Sequence, residues 1–321
     1  MTERAAYVNG RVVPESEATV SIFDRGYLSG IGVFERTRTF HGELFRLDEH
    51  LDRLDYSLKM TRLQTGLTRK ELKEATLDLV RRNRPLLGAN DDYSVGHYIS
   101  LGPDGKPTVV IFCEPIPFKS FARQYRDGAH VVSPSIRQVP IQVQDPKMKT
   151  TSRMYFHLAE CEAKLVDPEA YALILDLDGN VCELSPGANF WIVKNGTVIT
   201  PPGRSMLRGI TRDALVEVAD ELGTPVKEVD FQVYDVMIAD EAFLTVTSRC
   251  VMPVTKVNGT PIGDGKPGPM VARLQNGWAK RYGIDFVAQA LAHLEPAGSP
   301  AIAGEGQRRP FKATPARPVR R

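Results

Sequence analysis

What most constrains the fold of this chain is where it must reverse direction. Asn9-Gly10, His41-Gly42, Asp178-Gly179 and Asn195-Gly196 each separate short alternating or apolar runs. An Asn-Gly or Asp-Gly pair so placed closes a tight hairpin, because its central positions take left-handed backbone that Gly and Asn adopt at low cost. "GVFERTRTFHGELFRL" alternates with period two around His41-Gly42. That alternation puts Phe34, Arg36, Arg38 and Phe40 on one face, and Val33, Glu35, Thr37 and Thr39 on the other. "YSVGHYISLGPDGKPTVVIF" reads as two strands about a Pro-Asp-Gly turn, and "AFLTVTSRCVMPVT" as another strand pair or a bent strand.

Helical patterns stand between the hairpins. Asp48 reads as the N-cap of a helix striped by Leu51, Leu54 and Leu58, and a second helix is predicted over 68–83. Behind Lys149, Met154, Leu158, Cys161 and Leu165 keep helical spacing and read as an apolar face, while "GITRDALVEVADELG" is an amphipathic helix with a glycine stop. The class is α+β. Prolines mixed with charge in "EPIPFKSFARQYRDG" break the strand pattern, which divides the chain into a smaller N-terminal α+β domain (1–118), an interdomain linker (119–128) and a larger C-terminal domain (129–293). Residues 294–321, rich in Pro, Gly, Ala and Arg without periodicity, read as a disordered basic tail.

Composition excludes several classes of function. At 321 residues, 42% hydrophobic and 25% charged, the chain lies in the ordinary globular range. No apolar run reaches signal-peptide or membrane-spanning length, so a cytoplasmic address without membrane partners is expected. Cys113, Cys161, Cys182 and Cys250 form no CxxC pair and meet no His at metal spacing, so no metal site or disulfide framework is expected and they read as small buried hydrophobes. A formal net charge of +2 argues against a nucleic-acid partner.

The chemistry centres on "DPKMKTTSRMYFHLAECEAKL", where Lys147 and Lys149 precede a helix. A lysine is seldom buried unpaired, so taken singly each is most simply a solvated charge. Other residues alter the balance. Glu183 sits on an otherwise apolar strand, where a carboxylate either meets a cation or marks a wet strand edge. In "LRGITRDAL" a glycine precedes a helix, leaving the N–H groups of Ile210 and Thr211 free for an anion, unless Thr211 is simply the cap. Thr247 and Ser248 place hydroxyls at a strand end, and Arg53 stands in line with His50 and Ser57. Together these supply what pyridoxal 5'-phosphate needs: an amine, a carboxylate for the pyridine nitrogen, a phosphate site and a wall beside the ring.

In order and spacing, "DRGY" with "GVFE", "RLDEHLDRL", Lys149, "GNVCE" with "ANFW", "LRGITRDAL" and "FLTVTSRCVMPVTKVNGTPIGDG" resemble the class IV, or fold type IV, pyridoxal-phosphate aminotransferases. That family includes branched-chain, D-amino-acid and (R)-amine transaminases and aminodeoxychorismate lyase. The resemblance implies a two-domain fold whose C-terminal part has a β-barrel-like core, and a homodimer. It makes Lys149 the Schiff-base lysine, with Arg53, Ile210, Thr211 and Thr247 on the phosphate, Ser248 beside them, Glu183 on the pyridine nitrogen and Phe34 beside the cofactor. Departures are visible too. "LSPGA" is one residue longer than usual, Met154 replaces the tyrosine five residues after the lysine of branched-chain enzymes, and "SLGPDGKP" lacks the Arg-x-His carboxylate trap of typical D-amino-acid enzymes. Carboxylate recognition is therefore expected from Arg36 and Arg38, the alternative for Arg36 being a surface pair with Glu35, Glu43 or Asp48. The expected activity is ping-pong transfer between an amino donor and an α-keto acid such as 2-oxoglutarate or pyruvate. A branched-chain-like donor leads, followed by a D-amino acid or (R)-amine, an aminodeoxychorismate-type lyase, and a non-catalytic relative.

Overall fold

The structure, a computed structural model, describes residues 3–294. The basic tail from 295 onward lies outside the described residues. The first half comprises β1 (Ala5–Val8), β2 (Arg11–Pro14), α1 (Arg25–Ser29), β3 (Gly32–Phe40), β4 (Glu43–Leu44), α2 (Leu47–Thr61), α3 (Arg69–Asn83), β5 (Tyr93–Leu101) and β6 (Pro107–Pro115). Its strands form a 6-stranded sheet in the order β2-β1-β6-β5-β3-β4. The hairpin pairs behave as their chemistry dictates, with φ of 47° and 88° at Asn9-Gly10 and 51° and 82° at His41-Gly42.

Leu51, Leu54 and Leu58 of α2 and Leu72 and Leu79 of α3 pack on Val33, Val95, Val109 and Ile111 of the sheet. Helix α2 starts two residues earlier than expected. Arg46, in left-handed backbone, takes the N-cap position, and Asp48 lies within the first turn, where it pairs with Lys73 at 2.7 Å. Thr68 caps α3 with a reciprocal bond to Glu71.

The second half runs through α4 (Arg123–Asp127), β7 (Ala129–Val132), α5 (Met154–Val166), β8 (Tyr171–Leu175), β9 (Val181–Leu184), β10 (Ala188–Lys194), β11 (Thr197–Thr200), α6 (Ile210–Glu221), β12 (Val226–Glu228), α7 (Val233–Met237), β13 (Glu241–Val246), β14 (Cys250–Val257), β15 (Thr260–Pro261), α8 (Pro269–Tyr282) and α9 (Phe286–Leu291). The strand order is β12-β11-β10-β13-β14-β7-β8-β9, and β9 also pairs with β10. That last pairing closes β10, β13, β14, β7, β8 and β9 into a ring, the barrel-like core the family resemblance implied.

In the stretch 119–128, expected as an interdomain linker, Phe121, Ala122 and Tyr125 are buried in the larger core. One local expectation is corrected. On α5 the buried face is Phe156, Ala159 and Ala163, while Met154 (69% exposed), Leu158, Cys161 and Leu165 (88%) point outward. Small alanines let the helix lie close against β8, so the larger apolar side chains occupy the opposite face. Cys161 is thus exposed, unlike Cys113, Cys182 and Cys250.

Residues 133–153 connect β7 to α5, and their final part is fastened to the other sheet. Phe34 N donates to Lys149 O at 2.9 Å, Thr151 N to Gly32 O at 2.9 Å, and Lys149 N to Ser57 Oγ at 3.1 Å. A backbone bridge between Val33 and Thr150 completes the seam.

Candidate active site

At that seam lies a cavity of about 370 Å³ lined by residues of both sheets. Lys149 faces it with Nζ 4.5 Å from the centre of the Phe34 ring, and Phe34 in turn stacks on Tyr98 with centroids 5.1 Å apart. Set back in the cavity wall, the Lys149 amine is pushed down to about 7, first by desolvation and then by the nearby Arg53 charge. Lys147 is different: it pairs with Asp145 at 3.0 Å, its side chain 37% exposed, and it does not line this cavity.

Glu183 lies on β9 between β8 and β10, so it is not an edge charge. It is 4% exposed and lines the cavity. Gln138 Nε2 donates to its Oε1 at 2.8 Å, and its Oε2 has no donor among the described residues. Burial raises the Glu183 carboxyl above the usual range, opposed by the Gln138 bond and by the charges of Arg153 and Lys149. A carboxylate with one unmet oxygen in dry surroundings suits a buried N–H cation.

Helix α6 supplies the anion end. It starts behind Gly209 with no side-chain cap, and Thr211 lines the cavity, while the Ile210 side chain lines a neighbouring one. Asn189 Nδ2 donates to Leu207 O at 2.8 Å, and a Cβ on Gly209 would fall 2.2 Å from Asn189 Oδ1, so that approach requires glycine. Thr247 and Ser248 form the turn between β13 and β14 and line the same cavity.

Arg53 comes from α2 and is held by a buried carboxylate. Its Nε donates to Glu35 Oε2 at 2.8 Å, its Nη2 to Glu35 Oε1 at 2.5 Å and its Nη1 to Arg208 O at 2.8 Å. His50 Nδ1 lies 3.0 Å from the same carboxylate. Burial opposes ionisation of Glu35, but Arg53 and His50 overcome it and hold the carboxyl well below the usual range. N–H groups remain on Arg53 for a ligand.

Arg36 and Arg38 part company. Arg36 lines the cavity, its Nη1 bonded to Ser94 Oγ at 3.1 Å and to Glu114 Oε2 at 2.5 Å, with its guanidinium 4.9 Å from the Phe112 ring. Its acidic partner is therefore Glu114, not Glu35, Glu43 or Asp48. Arg38 is 1% exposed and does not line the cavity. Each of its N–H groups has an acceptor: Thr39 O, Ser248 O, Cys250 Sγ, Asp92 and Gln289. No donor is left for a substrate, which corrects the expected substrate contact. The cause is distance along the strand, since the four residues from Phe34 to Arg38 span roughly 13 Å. Arg38 instead fastens the carbonyl of the Thr247–Ser248 turn from behind.

Sequence reasoning missed Glu35 and Arg153 as site residues. Glu35 carried a signal, an acid on the strand face turned toward a helix bearing His50 and Arg53. Arg153 lines the cavity, its guanidinium 5.5 Å from the Phe34 ring and 4.0 Å from that of Phe156, with Nη2 donating to Pro186 O. No group of His, Cys, Asp and Glu among the described residues is arranged to hold a metal ion.

An amine of lowered pKa, a half-satisfied buried carboxylate and an uncapped helix N-terminus with hydroxyls and an arginine fit a phosphorylated pyridine aldehyde. Known proteins agree with that chemistry. Residues 32–257 match the family model for amino-transferase class IV. A Methanocaldococcus jannaschii protein provisionally named a branched-chain-amino-acid aminotransferase is 36% identical over 279 residues, covering 84% of this chain and 93% of its own. The D-alanine aminotransferase of Listeria monocytogenes is 30% identical over 302 residues, covering 90% and 98%. Among solved structures, the branched-chain amino acid aminotransferase of Escherichia coli superposes with a TM-score of 0.80 at 27% identity, covering 88% of this chain and 95% of that one. A second branched-chain amino acid aminotransferase, solved with pyridoxamine 5'-phosphate, also superposes with a TM-score of 0.80, at 28% identity and covering 87% and 94%.

Proposed function

The chain belongs to the class IV aminotransferases, and from that premise we propose that Lys149, Glu183, Arg53 and the start of α6 form one pyridoxal-phosphate site for transfer between an amino acid and an α-keto acid. The observation that carries the proposal is the cavity-facing amine of Lys149, lowered to about 7, beside the raised carboxyl of Glu183. In this reading Arg53, Thr211, Thr247, Ser248 and the N–H groups of Ile210 and Thr211 hold the phosphate. Glu183 Oε2 accepts the pyridine N–H, and Phe34 backs the ring. When bound, the cofactor supplies an electron sink for the charge left on the substrate α-carbon.

The remaining work falls to the protein. Lys149 Nζ, neutral above about pH 7, takes the proton from the amino donor's α-carbon in one half-reaction and delivers one to the α-carbon of the keto acid in the other. Arg38 keeps the Thr247–Ser248 turn in place through the Ser248 carbonyl, 3.2 Å from its Nη1. The donor we favour is a branched-chain-like amino acid, supported by the provisional name of the M. jannaschii relative and by the cavity's apolar wall of Phe34, Tyr98 and Leu207. A D-amino acid is the second reading, supported by the D-alanine aminotransferase relatives.

We also read the chain as a cytoplasmic homodimer. Ile22, Phe23, Tyr27, Leu28, Met154 and Leu158 are large apolar side chains left exposed, and Ser152 Oγ donates to Gly30 O at 2.9 Å between the segments that carry them, which suits a surface covered by a second subunit. Three buried free thiols suit a reducing compartment. Light scattering is the check, and a monomer at micromolar concentration would remove the dimer.

The function is tested by the visible spectrum of the purified protein mixed in parallel, without acceptor, with L-leucine, D-alanine or an (R)-arylalkylamine. Conversion of the cofactor band by one donor establishes the half-reaction and ranks the donors. Absence of any cofactor band after added pyridoxal phosphate sinks the proposal.

A further inference from the structure

Arg153 is the guanidinium in the cavity with the least to do. Arg53 is tied to Glu35 and Arg36 to Glu114, whereas Arg153 has no ion-pair partner among the described residues and gives one N–H bond, to the neutral carbonyl of Pro186. It also occupies the N-cap position of α5, a 13-residue helix whose dipole disfavours a cation there. A partly buried cation with open donors, at the unfavourable end of a helix, gains stability when an anion joins it.

Its surroundings say which anion. The seam that fixes Lys149 to β3 continues through Thr151, whose Oγ1 donates to Gly30 O at 3.1 Å and which pins the backbone just before Arg153. Lys149 Nζ and the Arg153 guanidinium consequently lie over the same Phe34 ring, at 4.5 and 5.5 Å. Arg153 shares none of the bonds of the phosphate end, where Arg53 meets Arg208 O and Glu35. Packing against Phe34 and Phe156 holds the guanidinium plane without using its N–H groups. An anion bound there would sit beside the reacting amine.

We infer that Arg153 is the specificity-determining residue that binds the substrate carboxylate, a bidentate contact that selects amino and keto acids over neutral amines and carbonyl compounds. The inference rests on the aminotransferase reading and assigns the end of the cavity that reading leaves open. Substrate carboxylates alternate during turnover, so a guanidinium without a fixed protein counterion suits a ligand that must leave.

The test compares holoenzyme forms of the wild type, Arg153→Lys and Arg153→Gln. Binding of 4-methylvalerate and of its primary amide is measured by calorimetry, and KM and kcat are measured with an amino acid and with a carboxylate-free amine. Loss of a charge-assisted contact predicts that the wild type prefers the carboxylate to the amide by roughly ten- to a hundredfold, and that Arg153→Gln erases this preference while Arg153→Lys keeps part of it. KM for the amino acid rises by the same factor, and kcat/KM for the amine stays within about threefold of wild type. Equal weakening of acid and amide would make Arg153 merely structural and overturn the inference. So would weaker cofactor retention with the carboxylate preference intact, or loss of that preference in Arg36→Gln instead. A wild type with no cofactor band would fail the aminotransferase reading itself, a separate outcome.

Discussion

Arg53 and Arg153 line one cavity and are held in opposite ways. Arg53 is locked by two bonds to buried Glu35, backed by His50 and capped by Arg208 O, while Arg153 rests on two ring faces and one carbonyl. If Arg53 holds the cofactor phosphate and Arg153 the substrate carboxylate, as proposed above, the difference teaches that rigidity follows what stays bound. A cofactor phosphate that never leaves favours a preorganised arginine, because the ordering is done at folding. A carboxylate exchanged at every half-reaction favours an arginine whose donors are open between visits.

The comparison can be broken from its centre outward. Between the two ends stands Lys149, and Lys149→Ala is expected to lower turnover by roughly a thousandfold or more and to remove the cofactor band on dialysis. A variant that keeps more than a tenth of wild-type rate would leave both arginines without a common reaction. Next comes the fastened end. Glu35→Gln strips Arg53 of its buried counterion and should cost about 3 kcal/mol of stability in urea unfolding, besides weakening cofactor binding. No loss would mean that Arg53 is not preorganised by Glu35.

A third measurement concerns the desolvation common to both ends. The Lys149 value near 7 lies below that of an unfolded lysine, ~10.4, so between those values the unfolded chain holds a proton that the folded chain has released. Stability of the cofactor-free protein therefore rises with pH across that window, and the penalty is complete below about 7. Allowing for water in the cavity, wild type should gain roughly 2 kcal/mol over Lys149→Met between pH 7 and 10. Equal midpoints across that range would show Lys149 to be solvated. The smallest effect belongs to the rim, where Glu114 is half-exposed: Glu114→Ala should change stability by less than about 1 kcal/mol, and a larger loss would make Arg36 a fastened residue like Arg53.

Much of this was legible in the sequence for a physical reason. Hairpin turns, the capped α3 and the leucine stripe of α2 are local, and local chemistry decides them. Lys149, Glu183 and Thr211 were readable as candidates only in combination, since taken singly each has an ordinary surface explanation and the choice of Lys149 over Lys147 came from the family resemblance. What stayed hidden depended on distance or size. Alternation places Arg38 on the face of Phe34 but says nothing of where the strand leaves the cavity. On α5, counting large apolar residues hid the buried face, which small alanines make by close approach. Glu35 gained its meaning only when α2 brought Arg53 and His50 across the sheet, and Arg153 only when its lack of an ion-pair partner among the described residues could be seen.

The seam that binds Lys149 to β3 has one more consequence. Phe34, Arg36 and Arg53 precede the exposed Ser120, whereas Lys149, Arg153, Glu183 and Thr211 follow it, and the divide is spanned by backbone bonds of Gly32 and Phe34 with Thr151 and Lys149 and by the bond from Lys149 N to the Ser57 hydroxyl. A chain severed there yields two pieces, neither owning a whole site, that recover it only by rejoining edge to edge. Catalysis in this scaffold is a logical conjunction of its halves, so a split version would report, by colour and turnover, on whether two attached proteins have met.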